Sequence, residues 1–139
     1  MLKSLFIVSL IGALGCAARI LISNYFFEKF GPVFPLGTLT VNVVGCLLIG
    51  FFIGLTSSNG GISVSPVMAS AITTGFLGGF TTFSSFALQT YNFLKERQWS
   101  YATLNISCSL VFSIIAVGVG QLVATEVIYY LHANEISRR

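Results

Sequence analysis

The side chains in this sequence that could do chemistry are neutral hydrogen-bonding groups and aromatic rings set inside apolar stretches. Thr38, Asn42, Gly45 and Cys46 recur at i, i+4, i+7 and i+8, which puts them on one face of a helix. An amide in such a setting is costly unless paired, so Asn42 either hydrogen-bonds a neighbouring helix or offers its NH2 group to something passing through. Phe83 and Phe86 stand three apart, with Phe80 one step earlier. Rings at this spacing commonly form a packing or lipid-facing stripe, but their positive edges can also approach an anion. Ser84, together with Ser109 and Ser113 at i, i+4, could add the hydrogen-bond donors an anion needs. Arg19 is the one basic residue deep in an apolar stretch, placed either to draw anions toward a vestibule or to neutralise helix C-terminal carbonyls.

The elements that must position these groups are transmembrane helices. Of 139 residues, 55% are hydrophobic and 8% charged, too little polar surface for a domain dissolved in water. Four stretches, 4–27, 35–56, 66–94 and 101–131, each reach the roughly 20 apolar residues that cross a bilayer. The expected fold is therefore an all-α membrane protein, one domain of four transmembrane helices with short connections. The third stretch would be over ~40 Å long as a straight helix, more than the hydrocarbon core, so a break or a strong tilt is expected. Gly78-Gly79 followed by Thr81-Thr82 places the break near the middle. Carbonyls freed there, at the bilayer midplane, would suit a small hard cation. The first stretch also has features of a secretory signal, with Lys3 before it and Cys16 after Ala13-Leu14-Gly15, but its apolar run continues to Phe27 and reads as a span.

With four crossings, Lys3, Arg138 and Arg139 fall on one side and Lys29, Lys95 and Arg97 on the other, three against three once Arg19 is set aside. Orientation normally follows an excess of Lys and Arg, and here there is none. Such a chain can insert both ways round, and two opposed copies can close an antiparallel homodimer in the lipid, the alternative being one orientation set by a weaker bias. Gly50 and Gly54, with Gly12, Gly15, Gly118 and Gly120, offer positions for close helix packing.

Other functions lack their residues. The cysteines Cys16, Cys46 and Cys108 all lie within spans and show no disulfide or zinc spacing. The only histidine, His132, follows the last span, and no nucleophile elbow, metal cluster or phosphate loop is present, so no enzyme is expected; nor is nucleic acid expected as a partner. A small dual-topology multidrug exporter would need a carboxylate in the membrane, and only Glu126, toward the end of a span, could supply one. A non-transporting assembly subunit would share the glycines but give no reason for the arrangement of Asn42, Phe83, Ser84 and Phe86.

Three motifs together resemble one family, the small bacterial fluoride channels known as Fluc or CrcB. They are Gly12-Ala13-Leu14-Gly15-Cys16-Ala17-Ala18-Arg19, then Gly37-Thr38-Leu39-Thr40-Val41-Asn42-Val43-Val44-Gly45, and Gly78-Gly79-Phe80-Thr81-Thr82-Phe83-Ser84-Ser85-Phe86. The last, of the type GG-x-TTFS-x-F, is the most specific. The resemblance implies a dual-topology homodimer in the bacterial inner membrane with two pores, passing fluoride passively out of the cell. It implies a structural sodium ion on the dimer axis, held by backbone carbonyls that match Gly78 and Thr81. Phe83, Phe86 and Asn42 match the family's pore residues and Arg19 its vestibule arginine, while the fourth-span track of Asn105, Ser109 and Ser113 is less tightly patterned. Thr38 and Ser84 complete the expected fluoride pore. Such a route is chemically sensible, because hydrogen fluoride enters neutral, dissociates in a more alkaline cytoplasm and traps the anion inside.

Overall fold

A computed structural model describes residues 2–57 and 61–137. Ser58, Asn59 and Gly60 of the second connection, and Arg138 and Arg139 of the charge count, lie outside the described residues. The described chain is all helical. Helix α1 (Leu2–Phe30) ends where Gly31 takes φ +75° and its N–H closes on the Phe27 carbonyl at 2.9 Å, a left-handed cap that glycine adopts without strain. Helix α2 (Leu36–Thr56) follows. The third stretch comes in pieces: α3 (Pro66–Ser70), a π-helical segment Ala71–Leu77, α4 (Gly78–Phe80) and α5 (Phe83–Lys95). Helix α6 (Trp99–Ser137) closes the chain.

Three of these helices, Leu2–Phe30, Leu36–Thr56 and Trp99–Asn134, are long and apolar enough to cross a membrane. The outer two exceed the expected spans. Glu28, Lys29 and Phe30, expected in a connection, continue α1, and His132, expected beyond the last span, lies on α6. Hydropathy marks where lipid suits a helix, whereas helix propensity decides where the helix stops, and Glu and Lys are good helix formers.

The third stretch is broken at Thr81 and Thr82, both in extended conformation (ψ 161° and 109°), and not at the glycines, which stay helical. The glycines serve packing. The π-helical segment and α4 lie against α1 so closely that a Cβ on Gly15 would collide with the Phe76 carbonyl, and one on Gly79 with the Gly12 carbonyl. After the break the chain leaves α1 and packs on α6. Helix α2 lies between, with its main contact along α6, where Gly50 meets the Val117 backbone. Gly50 and Gly54 are thus occupied within the protomer, whereas a Cβ on Gly118 would meet nothing within 4 Å. Phe34, Phe93 and Tyr101 stack at one end, with Phe93 and Tyr101 centroids 5.6 Å apart, and tie the start of α2 to the α5–α6 turn.

The interior is built from small residues, Ala71, Ala102, Ala116 and Ala124 among them, while large aliphatic and aromatic side chains cover the outside. That inversion suits lipid, where helices associate through close packing and hydrogen bonds because tails are as apolar as leucine.

Candidate functional site

Every residue of the Thr38–Asn42–Gly45–Cys46 face meets the broken stretch or the cavity beside it. The Asn42 side chain pairs with the backbone of Thr82 on both edges: its Oδ1 accepts the Thr82 N–H at 2.8 Å and its Nδ2 donates to the Thr82 carbonyl at 3.2 Å. An amide thus stands in for the strand partner that extended backbone in lipid lacks. Only one hydrogen of the Asn42 NH2 is used in this way, so both readings of that residue can hold at once: it pairs with a neighbouring element and keeps a second N–H. Gly45 leaves room for the Thr81 side chain, with which a Cβ would collide. Thr38 accepts from Gln89 Nε2 at 2.9 Å, which fixes α5 against α2.

Thr82 caps α5: its Oγ1 accepts the Ser85 N–H at 3.2 Å and donates to the Ser85 hydroxyl at 3.0 Å. In a continuous helix the Thr82 N–H would go to the Gly78 carbonyl and the Ser85 N–H to the Thr81 carbonyl. Both are diverted, one to Asn42 and one to the Thr82 side chain. The two carbonyls relieved of their helical donors are the pair that the family resemblance matches to a cation site.

Beside the break is a cavity of about 260 Å³ lined by Asn42, Cys46, Thr81, Phe83, Phe86, Ser109, Leu110, Ser113 and Ile114. It brings together five of the expected pore residues: Asn42, Phe83, Phe86, Ser109 and Ser113. The two rings lie 5.5 Å apart at 52°. The Ser109 hydroxyl is buried without a hydrogen-bond partner among the described residues, an orphan donor beside the cavity. No lining side chain is charged, so an ion entering would be met by neutral dipoles and ring edges. Phe83 is 76% exposed, so its ring also forms part of the protomer's outer surface.

Three expected residues lie elsewhere. Thr38 lines a second cavity of about 430 Å³, shared with Gln89, Asn92 and Glu96. Ser84 is exposed, its hydroxyl 3.2 Å from that of Thr82. Arg19 is half-buried on α1 with Nη2 3.2 Å from the Cys16 sulfur, and lines neither cavity. Conversely, sequence reading gave no role to Gln89 or Thr90, and read Thr82 only as part of the break. Thr90 receives a 2.9 Å hydrogen bond from Asn105, which is 1% exposed, and this joins α5 to α6. Their signal was available as polar residues in the middle of a stretch bound for lipid.

The model of the family described as CrcB-like protein, Camphor Resistance (CrcB), matches residues 6–121. A protein of Opitutus terrae named fluoride-specific ion channel FluC is 45% identical over 117 residues, 84% of this chain and 89% of that one. One of the same name from Methylocella silvestris is 43% identical over 115 residues, covering 83% and 88%. Another from Geobacter sulfurreducens is 34% identical over 119 residues, covering 86% and 94%.

Proposed function

The chain belongs to the CrcB family, and from that premise we propose that it is a multi-pass fluoride-selective channel of the bacterial inner membrane, exporting the anion passively and lowering its toxicity. The observation that carries this reading is the uncharged cavity in which the Asn42 amide and the Ser109 and Ser113 hydroxyls meet the rings of Phe83 and Phe86. Fluoride is small and strongly hydrated, and a pore that strips its water must replace it with close donors and positive ring edges. A proton-coupled exporter would instead need a carboxylate here, and the lining residues include none.

The working unit is an antiparallel homodimer surrounded by lipid, in which the broken third stretch supplies the fourth crossing. The exposed Phe83 ring and the even charge count support it. On its axis a structural sodium ion would be held by the Gly78 and Thr81 carbonyls, whose diverted N–H donors leave oxygen dipoles of the kind a hard monovalent cation takes. Bound there, sodium would supply positive charge that offsets the carbonyl dipoles where the two breaks meet.

Fluoride efflux from liposomes containing the purified protein, followed with a fluoride electrode after valinomycin is added in a potassium gradient, tests the reading. Release without matching chloride release is the expected result; no release from well-folded protein would sink it. In the same assay Phe83→Ile and Phe86→Ile are each expected to lower the rate about tenfold, the loss of an aromatic contact worth ~1 kcal/mol or slightly more. The elution volume of both variants should stay that of the wild type, and full flux in both would remove the ring edges from the mechanism.

A further inference from the structure

Of the three cysteines, Cys46 alone lines the cavity beside the break, as a free, half-buried thiol one turn beyond Asn42 on α2. The Cys16 sulfur accepts from the Arg19 guanidinium at 3.2 Å, and Cys108 borders neither cavity. The packing of α2 on α6 says where along the wall Cys46 stands. A Cβ on Gly50 would meet the Val117 backbone and one on Gly54 the Gln121 backbone, so the two helices run parallel in a constant register. Four residues back, that register pairs Cys46 with Ser113, and eight back it pairs Asn42 with Ser109. All four line the cavity. Ser109 is 7% exposed, and its hydroxyl, without a hydrogen-bond partner among the described residues, is a donor left over for an ion. Cys46 and Ser113 thus form a second rung about 6 Å along the same wall, at ~1.5 Å per residue.

Sulfur is the one soft ligand in a wall of amide, hydroxyl and ring. A thiolate takes soft metal ions, whereas the carbonyls of the break suit hard ones. We propose that Cys46 is a binding site for soft, thiophilic metal ions within the anion pathway, and that a metal bound there closes it. The proposal rests on the fluoride reading above. With mercuric chloride the Cys46 S–H bond is replaced by an S–Hg bond, one Hg–Cl bond breaks, and a proton and a chloride ion leave to water with no net oxidation or reduction.

The test is fluoride efflux from liposomes before and after mercuric chloride, each variant being compared with its own untreated rate. The wild type, and the double variant Cys16→Ser, Cys108→Ser, are expected to lose about tenfold or more, because a metal in a narrow pore obstructs it. 2-Mercaptoethanol should restore both. Cys46→Ser, or Cys46→Ala should the serine variant not fold, is expected to keep its untreated rate. Fluoride, and not nitrate, should slow mercury binding to Cys46 followed by peptide mass mapping, a protection that mere destabilisation of the fold would not give. A wild-type loss of flux in the Cys46 variant, or full flux in wild-type protein mapped as carrying mercury at Cys46, would overturn the proposal. So would Cys46 left unlabelled in folded, conducting protein, with the channel reading intact. Labelled Cys46 in protein that releases no fluoride even untreated would overturn the channel reading and the closure with it.

Discussion

Replacing Asn42 by aspartate is expected to cut fluoride efflux by on the order of a thousandfold. A carboxylate about 4 Å from the passing anion costs ~4 kcal/mol at the effective dielectric of a partly buried site, against about 1.36 kcal/mol per tenfold in rate. The same change leaves Oδ1 able to accept the Thr82 N–H but removes the donor to the Thr82 carbonyl. Asn42→Leu separates the two effects, since it loses both hydrogen bonds without adding charge. Flux through the aspartate variant well below that of the leucine variant, with both eluting as the wild type does, assigns the loss to repulsion. Undiminished flux in the aspartate variant would confine Asn42 to holding the break.

Gly15→Val is expected to prevent assembly altogether. The glycine lies against the backbone of Phe76, and a carbonyl, unlike a flexible side chain, cannot swing aside. Overpacking costs about 3 kcal/mol or more when the backbone must move, and here it would part α1 from the π-helical segment that leads into the break. Gly118→Ala is the control, because its new methyl meets nothing within 4 Å in the protomer. Gel filtration in mild detergent should give aggregate for the first variant and a wild-type peak for the second. A wild-type peak for Gly15→Val would mean the two elements can separate without loss. A shifted peak for Gly118→Ala would show that α6 meets a second copy at that glycine.

Much of this was legible in the sequence because lipid makes polar residues conspicuous. Asn42, Ser109 and Ser113 stood out as polar groups in apolar runs, Phe83 and Phe86 by their spacing, and the structure gathers all five round one cavity. The existence of a break was legible from length, and its approximate place from Gly78-Gly79 and Thr81-Thr82. Its location at the threonines was not, since intrinsic propensity blames glycine. What decides is tertiary: α1 approaches so closely at Gly12 and Cys16 that Gly79 must be small, while Asn42 supplies the pairing that extended backbone at Thr82 needs. Thr38 shares a helical face with Asn42, yet the Gln89 side chain it binds directs it to a different cavity. Periodicity assigns a face and cannot say what sits opposite it.

The hydrogen bonds of α5 also bear on how the chain enters the membrane. Ser84, Ser85, Gln89, Thr90 and Asn92 make α5 polar for an element bound for lipid, and at 13 residues it is too short to cross alone. The Thr90 hydroxyl is joined to Asn105, which lies on α6, so when α5 leaves the ribosome the carboxamide it pairs with has not yet emerged. We predict that a chain truncated before Trp99 and carrying a glycosylation acceptor after Lys95 leaves α5 outside the bilayer, and that restoring α6 brings it in; full insertion of the truncated chain would refute this. On this account α5 and α6 insert as a hairpin, and the end of translation, not the arrival of the third stretch, is the step that commits the protein to its membrane fold.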